Sequence, residues 1–434
     1  MTLENCHILS RFFQVLICMC SITYLECTAQ SGFGSEKHLS EQLVRQRWQS
    51  HQQVNTMAGL SLIGSQWRGF TSVHLGYFRY PFSAKLDGTL RYGPLGGYTP
   101  DWDNAYDLLR VIEFARIQTD HLYIRVGPIQ DLRLGIGHIV NHYRSSTSWD
   151  DRTVGAEMSW DAKKFSIQGF TADLLLNNLI GVRATAEVFL GIKIGVNYSN
   201  HLPSDLIAWS LDLEREVFET ARVVFAPYVS FARYPKHGEG LAFGADVRSS
   251  GFLDLLSFRL RVGAFYNSEG FIPGYIGTLF SVNNPTNRII RNNSDIEILS
   301  HDSFSGLLLE EARGINDLLT EFELQIQDTF WLAYSWRRHF GGQPLSELYF
   351  RLFVRGGQYF TLEVGVDRLG ERVFGNIFSA FSEQSSLMFA TVLRMSHSIF
   401  LHTEARYTFE PIDDIPNYLV QRRFEPTLGI RLNL

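Results

Sequence analysis

The sequence predicts an all-β protein that forms a transmembrane antiparallel β-barrel, and three observations support this fold class. Apolar and polar residues alternate with period two from about Met57 onwards. The alternating runs are about 9–12 residues long, which a tilted strand needs to cross a bilayer and which exceeds most soluble strands. One face of these runs carries arginine and glutamate, whereas the other carries almost no charge. Such a strand has one side in an apolar medium and the other in water.

The clearest alternation is in SIFLHTEARYTFE, residues 398–410. Its apolar face comprises Ile399, Leu401, Thr403, Ala405, Tyr407 and Phe409, and the residues between them form the polar face. Five further runs have the same two faces: VRATAEVFL (182–190), SFRLRVGAFY (257–266), EFELQIQ (321–327), FTLEVGVD (360–367) and FEPTLGIRLNL (424–434). Each of these runs is therefore a predicted barrel strand.

Turn-forming segments separate the strands, as in DAKK at Asp161 and DRLGER at Asp367. Many strands follow one another through short links with hardly any helical pattern, which predicts an antiparallel meander. Because each strand with its link takes about 20 residues, we expect roughly 18 strands, within a range of 16–22.

The first 29 residues differ from the rest of the chain. A short apolar run, Phe12 to Leu25, precedes the small residues Cys27 and Ala29, which predicts a removable secretory signal at 1–29. All four cysteines lie within this segment: Cys6, Cys18, Cys20 and Cys27. The mature chain would carry no cysteine, which excludes thiol catalysis and thiolate metal sites.

The mature chain is predicted to have two parts. In residues 30–55, Leu39, Leu43 and Trp48 have helical spacing, which predicts a short periplasmic or plugging helical segment. Residues 56–434 form the predicted barrel. Within the barrel, residues 267–314 form a long irregular insert, and such inserts are usually functional or disordered.

The strand lengths and faces quoted above make the chain from about Met57 to Leu434 similar to the outer-membrane β-barrel proteins of Gram-negative bacteria. The resemblance is one of architecture, porin-like in character, and points to no specific subfamily. It implies location in the cell outer membrane, with outer-membrane lipid and the barrel-assembly machinery as partners. The net charge of −6 argues against a nucleic-acid partner.

Charged residues on the polar faces are the strongest chemical signal. The candidate lumen-lining residues are Arg125, Arg133, Arg183, Glu187, Arg259, Arg261, Glu321, Glu323, Arg351, Arg355, Glu363, Glu404 and Arg406. Rings of charge in a water-filled lumen determine which ions pass. We expect Arg259, Arg261, Arg351 and Arg355 to contribute to selectivity at a constriction. The alternative is that these charges pair across strands and only line the wall.

The stretch GPIQDLRLGIGHIVNHY, residues 127–143, breaks the alternation. Its Gly135-x-Gly137 lacks the third glycine and the following helix of a nucleotide-binding turn. We interpret the stretch as a bent strand or a segment folded into the barrel, with a simple kink as the alternative. On a strand, His138 and His142 would lie about 13 Å apart, too far for one metal ion. We therefore expect no metal site here.

We expect a porin-like channel for small polar solutes, which requires no cofactor. The alternatives are a plugged, non-conducting barrel with a structural or surface-interaction role and, less favoured, a barrel-borne hydrolase. The hydrolase candidates are Asp101, Asp103 and His301 in loops, and His142 with Ser145 and Ser146. Neither group has a complete catalytic signature, so we expect no enzymatic activity.

Overall fold

A computed structural model gives the structure of the protein. It describes residues 52–94, 96–102, 105–145, 153–162, 164–175, 178–219, 223–252, 255–280, 298–300, 309, 312–314, 316–327, 329–341, 346–370, 385–411 and 417–433. The predicted secretory signal, residues 30–51 of the predicted N-terminal segment, Asp103, Ser146 and His301 lie outside these residues. Residues 52–55 of that segment belong to the first barrel strand rather than to a helix, because they pair with the next strand.

The described residues form 23 strands in one sheet. The strands are β1 (Gln52–Ile63), β2 (Gln66–Arg79), β3 (Phe82–Gly93), β4 (Gly96–Gly97), β5 (Ile112–Gln118), β6 (Leu122–Gly127), β7 (Gly155–Ala162), β8 (Phe165–Thr171), β9 (Leu179–Glu187), β10 (Ile192–His201), β11 (Leu206–Arg215), β12 (Phe218–Glu219), β13 (Val223–Tyr234), β14 (Gly238–Phe252), β15 (Leu256–Asn267), β16 (Ile298–Ser300), β17 (Asp317–Ile326), β18 (Phe330–His339), β19 (Glu347–Gly356), β20 (Phe360–Leu369), β21 (Ser385–Arg394), β22 (Ile399–Pro411) and β23 (Asn417–Asn433).

The helical segments whose bounds lie within the described residues are single turns. One α-helical turn spans Asp107–Arg110, and 3-10 turns span Thr99–Asp101, Phe189–Gly191 and Leu202–Ser204. In this part of the chain, no helix has the length and apolar character needed to span a membrane.

Twenty of the strands, all except β4, β12 and β16, form one closed antiparallel barrel. Each pairs with its neighbours along the chain, and β1 closes the barrel against β23, with Gln53 opposite Asn433. The predicted antiparallel barrel is confirmed, and its 20 strands lie within the expected range of 16–22, two above the central expectation of about 18. The reason is that many links are very short, such as residues 64–65 and 80–81, so that more strands fit into the chain.

Side-chain exposure agrees with the predicted faces of the strands. On β22, Ile399 and Leu401 are 40% and 38% exposed, whereas Phe400 between them is 6% exposed. On β23, Leu428 is 52% exposed and the neighbouring Thr427 only 2%. Alternate residues therefore point to the outside and to the lumen, as period-two alternation requires.

The barrel has an apolar outside and a polar inside. Most of its strands expose large apolar side chains, such as Leu75, Val196 and Val262, while charged residues such as Arg125 and Arg261 are buried within. This distribution is the reverse of that in a water-soluble protein. In a closed barrel, the backbone N–H and C=O groups of every strand are hydrogen-bonded to neighbouring strands, which allows the barrel to span a bilayer. The protein is therefore an outer-membrane β-barrel.

The connections between strands differ at the two ends of the barrel. At one end, the short-turn end, they include residues 163–164, 327–329 and 357–359. At the other, the long-loop end, they include residues 94–111, 128–154 and 268–316. In outer-membrane barrels, short turns face the periplasm and longer loops face the exterior. The long-loop end is assigned to the exterior on this basis.

Two connections at the long-loop end fold back into the lumen. We call residues 128–145 and 268–280 the luminal plug. Ile129, Val140 and Ile276 in these segments are completely buried. Of the two favoured interpretations of residues 127–143, the structure shows the segment folded into the barrel rather than the bent strand. The preceding residues, LYIRV (122–126), form strand β6.

A charge on the outer surface is expected to prevent correct assembly. Val262 lies near the middle of β15 and is 42% exposed. Val262→Arg should destabilise the barrel by about 2–4 kcal/mol, the cost of a cation at the lipid-facing midplane. Folding into detergent or lipid, followed by gel shift, measures the effect.

The matched control is Val262→Leu, which keeps the position apolar and should fold like the wild type. If the arginine variant folded with equal yield and stability, the outward assignment of Val262 would be wrong.

Candidate functional site

The two plug segments share an apolar core with the inner wall. Val140 forms a bridge with Ile276, and the Asn141 amide donates a hydrogen bond to the Ile276 carbonyl at 3.1 Å. Ile139 and Phe280 belong to the same cluster of buried residues. The cluster extends to residues of the barrel wall: Phe170, Ala172, Leu179, Leu206, Ala208, Ala232 and Tyr234. The plug therefore packs as a small hydrophobic core inside a polar barrel.

Polar contacts hold the plug against the wall at His142. Its Nδ1 lies 2.8 Å from Asp131 Oδ1, and its Nε2 lies 3.3 Å from Glu321 Oε1. The ring stacks on Tyr349 at 3.9 Å between centroids. Arg133 donates to the same Glu321 carboxylate at 2.7 Å. Glu321 and Tyr349 belong to β17 and β19, so this network connects the plug to two wall strands.

The imidazole of His142 lies in the plug and carries a strongly shifted pKa. Burial lowers the pKa, but the Asp131 carboxylate and the hydrogen bonds to Asp131 and Glu321 outweigh burial and raise it to about 9. The two carboxylates thus favour the protonated imidazole against burial and against the Arg133 guanidinium, which lies 2.8 Å from Nε2. In the opposite direction, burial raises the pKa of Asp131, but His142, Tyr349 and Arg133 bring it well below its ordinary value.

Further contacts fix the tip of the plug. Arg261 on β15 donates to the Ile136 carbonyl and lies 3.2 Å from Glu321. His138 Nδ1 is 2.9 Å from the Ser230 hydroxyl. His138 and His142 therefore contact different wall groups.

Gly135 permits close approach of the plug to the wall. Its φ is +60°, a left-handed conformation that glycine adopts without strain. A Cβ atom here would overlap the guanidinium of Arg183. The positive φ and this close approach to the wall both favour glycine at position 135.

Several predicted lumen residues pair within the wall. Arg183 pairs with Asp212, Arg259 with Asp246 at 2.9 Å, and Arg351 with Asp367 at 2.8 Å. In each pair, both side chains point inward from nearby strands, which brings the opposite charges together. Arg125 faces Glu157 across β6 and β7 at 3.7 Å and donates to the Pro128 carbonyl.

The remaining predicted residues take separate places. Glu323 accepts a hydrogen bond from the Trp331 indole at 2.7 Å, and Glu187 is exposed at the short-turn end of β9. The Ser145 hydroxyl accepts a hydrogen bond from the Ile129 amide at 3.0 Å and donates to the Ile129 carbonyl at 3.5 Å.

A cavity of about 610 Å³ lies between the plug and the wall formed by β1–β3 and β20–β23. Its lining includes Gly357 and His397 from the short-turn end. It also includes Trp102 and Arg110 from the connection 94–111 at the long-loop end. The cavity therefore has contributions from both ends of the barrel.

Four of the predicted lumen residues line this cavity: Arg355, Glu363, Glu404 and Arg406. The sequence analysis missed the charged residues that β3 contributes, namely Lys85, Asp87 and Arg91. The signal was present, because these residues alternate with the exposed Leu86 and Leu90 in SAKLDGTLRYG.

At the long-loop end of the cavity, Arg91 is at the centre of a buried network. It pairs with Glu425 at 2.7 Å and with Asp101 at 2.5 Å. Ser61 donates to the same Glu425 carboxylate at 2.6 Å. Asp101 belongs to the connection that follows β3, so the network holds this connection over the cavity.

Comparison with known proteins gives no family. No family model matches the chain, and no curated protein matches it. Solved barrels are similar at low identity. The Escherichia coli outer-membrane protein Wzi, titled a carbohydrate-binding β-barrel involved in group 1 capsule assembly, is 11% identical, with a TM-score of 0.35 over 92% of this chain and 89% of that one.

Two Pseudomonas aeruginosa barrels are similar to the same degree. A mutant of the ferric enterobactin receptor PfeA, in complex with enterobactin, is 9% identical with a TM-score of 0.34, over 88% of this chain and 82% of that one. OccK11 (OpdR) is 10% identical with a TM-score of 0.31, over 88% of this chain and 96% of that one. Similarity at this level does not assign a function.

Proposed function

We propose that the protein is a narrow, non-catalytic passage for small polar solutes across the outer membrane. The observation that carries this proposal is the cavity, whose lining comes from both ends of the barrel. A 20-stranded barrel is too wide for wall side chains alone to fill. The plug occupies the other part of the lumen, so that a solute would move along the wall of β1–β3 and β20–β23.

The charges of the cavity support passage of polar rather than apolar solutes. Its lining combines cations such as Arg355, Arg394 and Arg431 with anions such as Glu363 and Glu404. Low-dielectric walls strengthen the field of such groups, so a few charges bias which ions enter. The selectivity that the sequence predicted for four arginines would then depend on Arg355, because it is the one of the four that lines the cavity.

Removal of the Arg355 charge is expected to change ion selectivity. Arg355→Gln should shift the reversal potential in a KCl gradient toward cation preference. The shift should decrease at high salt, because the Debye length falls from about 10 Å at 0.1 M to about 3 Å at 1 M. Planar-bilayer recording measures it.

The matched control is Arg259→Gln. Arg259 pairs with Asp246 outside the cavity lining, so its loss should leave the reversal potential unchanged. Equal shifts in the two variants, or no shift in Arg355→Gln, would contradict passage through this cavity.

The second candidate is a plugged, non-conducting barrel with a structural or surface-interaction role. The network of Arg91, Asp101 and Glu425 favours it, because it holds the connection 94–111 over the cavity at the long-loop end. Wild-type protein without single-channel conductance in planar bilayers would support this candidate and reject the passage.

A further inference from the structure

Three polar side chains form a row across the first strands of the barrel. Asn55 on β1 is directly opposite His74 on β2, which is opposite Asp87 on β3. Side chains of directly opposed residues have Cβ atoms about 4.5–5.5 Å apart. All three residues line the cavity. Their backbone positions are fixed by the sheet, so the row is preorganised.

A bulge adds a second carboxylate to this row. Lys85 pairs with Phe114 and Leu86 pairs with Ile112, which leaves Glu113 as the extra residue of β5. Bulges redirect side chains, and Glu113 lines the same cavity. One ligand atom each of His74, Asp87 and Glu113 lies within 4.8 Å of the others.

Asn55 provides an independent sign of a ligand. The residue is only 2% exposed, yet its side-chain oxygen has no hydrogen-bond partner among the described residues. A buried acceptor without a partner is unfavourable. An amide oxygen in this position can coordinate a cation.

The orientation of His74 fits a ligand role. Its Nε2 lies 3.0 Å from the Ser72 hydroxyl, and its Nδ1 lies 3.6 Å from Asp87 Oδ1. Metal-binding histidines usually donate one ring N–H to a neighbouring acceptor, which directs the lone pair of the other nitrogen to the metal. Ser72 is suited to be that acceptor.

We propose that His74, Asp87 and Glu113, with Asn55, form a binding site for a divalent transition-metal ion such as Zn²⁺. One imidazole and two carboxylates with an amide oxygen are a donor set for such ions, whereas Ca²⁺ prefers oxygen ligands alone. Lys85 pairs with Glu113 and is displaced from this carboxylate when the metal binds. The site is independent of whether solutes pass through the cavity.

Isothermal titration of the untagged, folded barrel with Zn²⁺ tests the site. The wild type should bind one ion, with Ca²⁺ failing to compete. Asp87→Asn should weaken Zn²⁺ binding by at least about 10–100-fold, because a change to a residue that only supports a ligand already costs this much. Ser72→Ala, which leaves every ligand in place, should weaken it within about the same range. Gel shift confirms that each variant is folded.

Two further variants separate this site from general charge in the cavity. Glu363→Gln removes a carboxylate of the same cavity outside the row and should leave Zn²⁺ affinity unchanged. Lys85→Met should increase affinity, since Glu113 loses its competing cation. The proposal is overturned if the wild type binds no Zn²⁺, or if Asp87→Asn and Glu363→Gln bind it equally.

Discussion

Replacement of Glu321 by alanine is expected to detach the plug from the barrel wall and to increase the unitary conductance. The Glu321 carboxylate lies 2.7 Å from Arg133, 3.2 Å from Arg261 and 3.3 Å from His142. Its removal leaves these buried cations without their shared partner. Breaking a buried ion pair from one side costs about 3–5 kcal/mol. Most of this cost falls on docking of the plug, because Arg133 and His142 belong to it.

Glu323→Ala is the matched control on the same strand. Glu323 is the next inward residue of β17, and it accepts from the Trp331 indole rather than from the plug. Its replacement should leave the conductance at the wild-type level. Equal conductance in both variants would show that Glu321 does not hold the plug.

Alkaline pH is expected to loosen the plug in the wild type. The pKa of His142 is raised from 6.5 to about 9, because Asp131 and Glu321 stabilise its protonated form more than burial opposes it. A raised pKa stabilises docking fully below about pH 6.5, and this contribution is lost as pH rises through about 9. The shift corresponds to about 3 kcal/mol. Arg133 and Tyr349 also contact the His142 ring.

Conductance and limited proteolysis at pH 6, 8 and 10 measure this effect. Both should change progressively across these values, because the contribution of His142 declines between about pH 6.5 and 9. The variant His142→Gln removes the titrating group and should give a pH-independent response. Wild-type protein that resists the protease equally well at pH 6 and at pH 10 would contradict a role for protonated His142.

The barrel could be predicted because its determinants are local. Alternation along a single strand is enough to place Leu401 outside and Glu404 inside, since the pleat directs successive side chains to opposite faces. The strand number was less accurate, because it depends on link lengths. Residues 64–65 and 80–81 form tight links that the composition does not indicate.

The plug could not be predicted from local patterns. Its docking depends on Glu321 and Tyr349, which are 188 and 218 positions away from Arg133 and Asp131. The sequence indicated only that residues 127–143 depart from a regular strand. Whether a charged residue faces the cavity, another strand or the plug depends on which strands are neighbours in the closed barrel.

The closure of β1 against β23 has a consequence for the order of assembly. The wall of the cavity is the seam at which the first and last strands meet, and Arg91 reaches Glu425 across a separation of 334 residues. Contacts so distant in the chain make folding slow. The contacts of the plug with Glu321 and Tyr349 involve neither β1 nor β23. Opening of the seam would therefore break the wall of the cavity and leave these anchors of the plug intact.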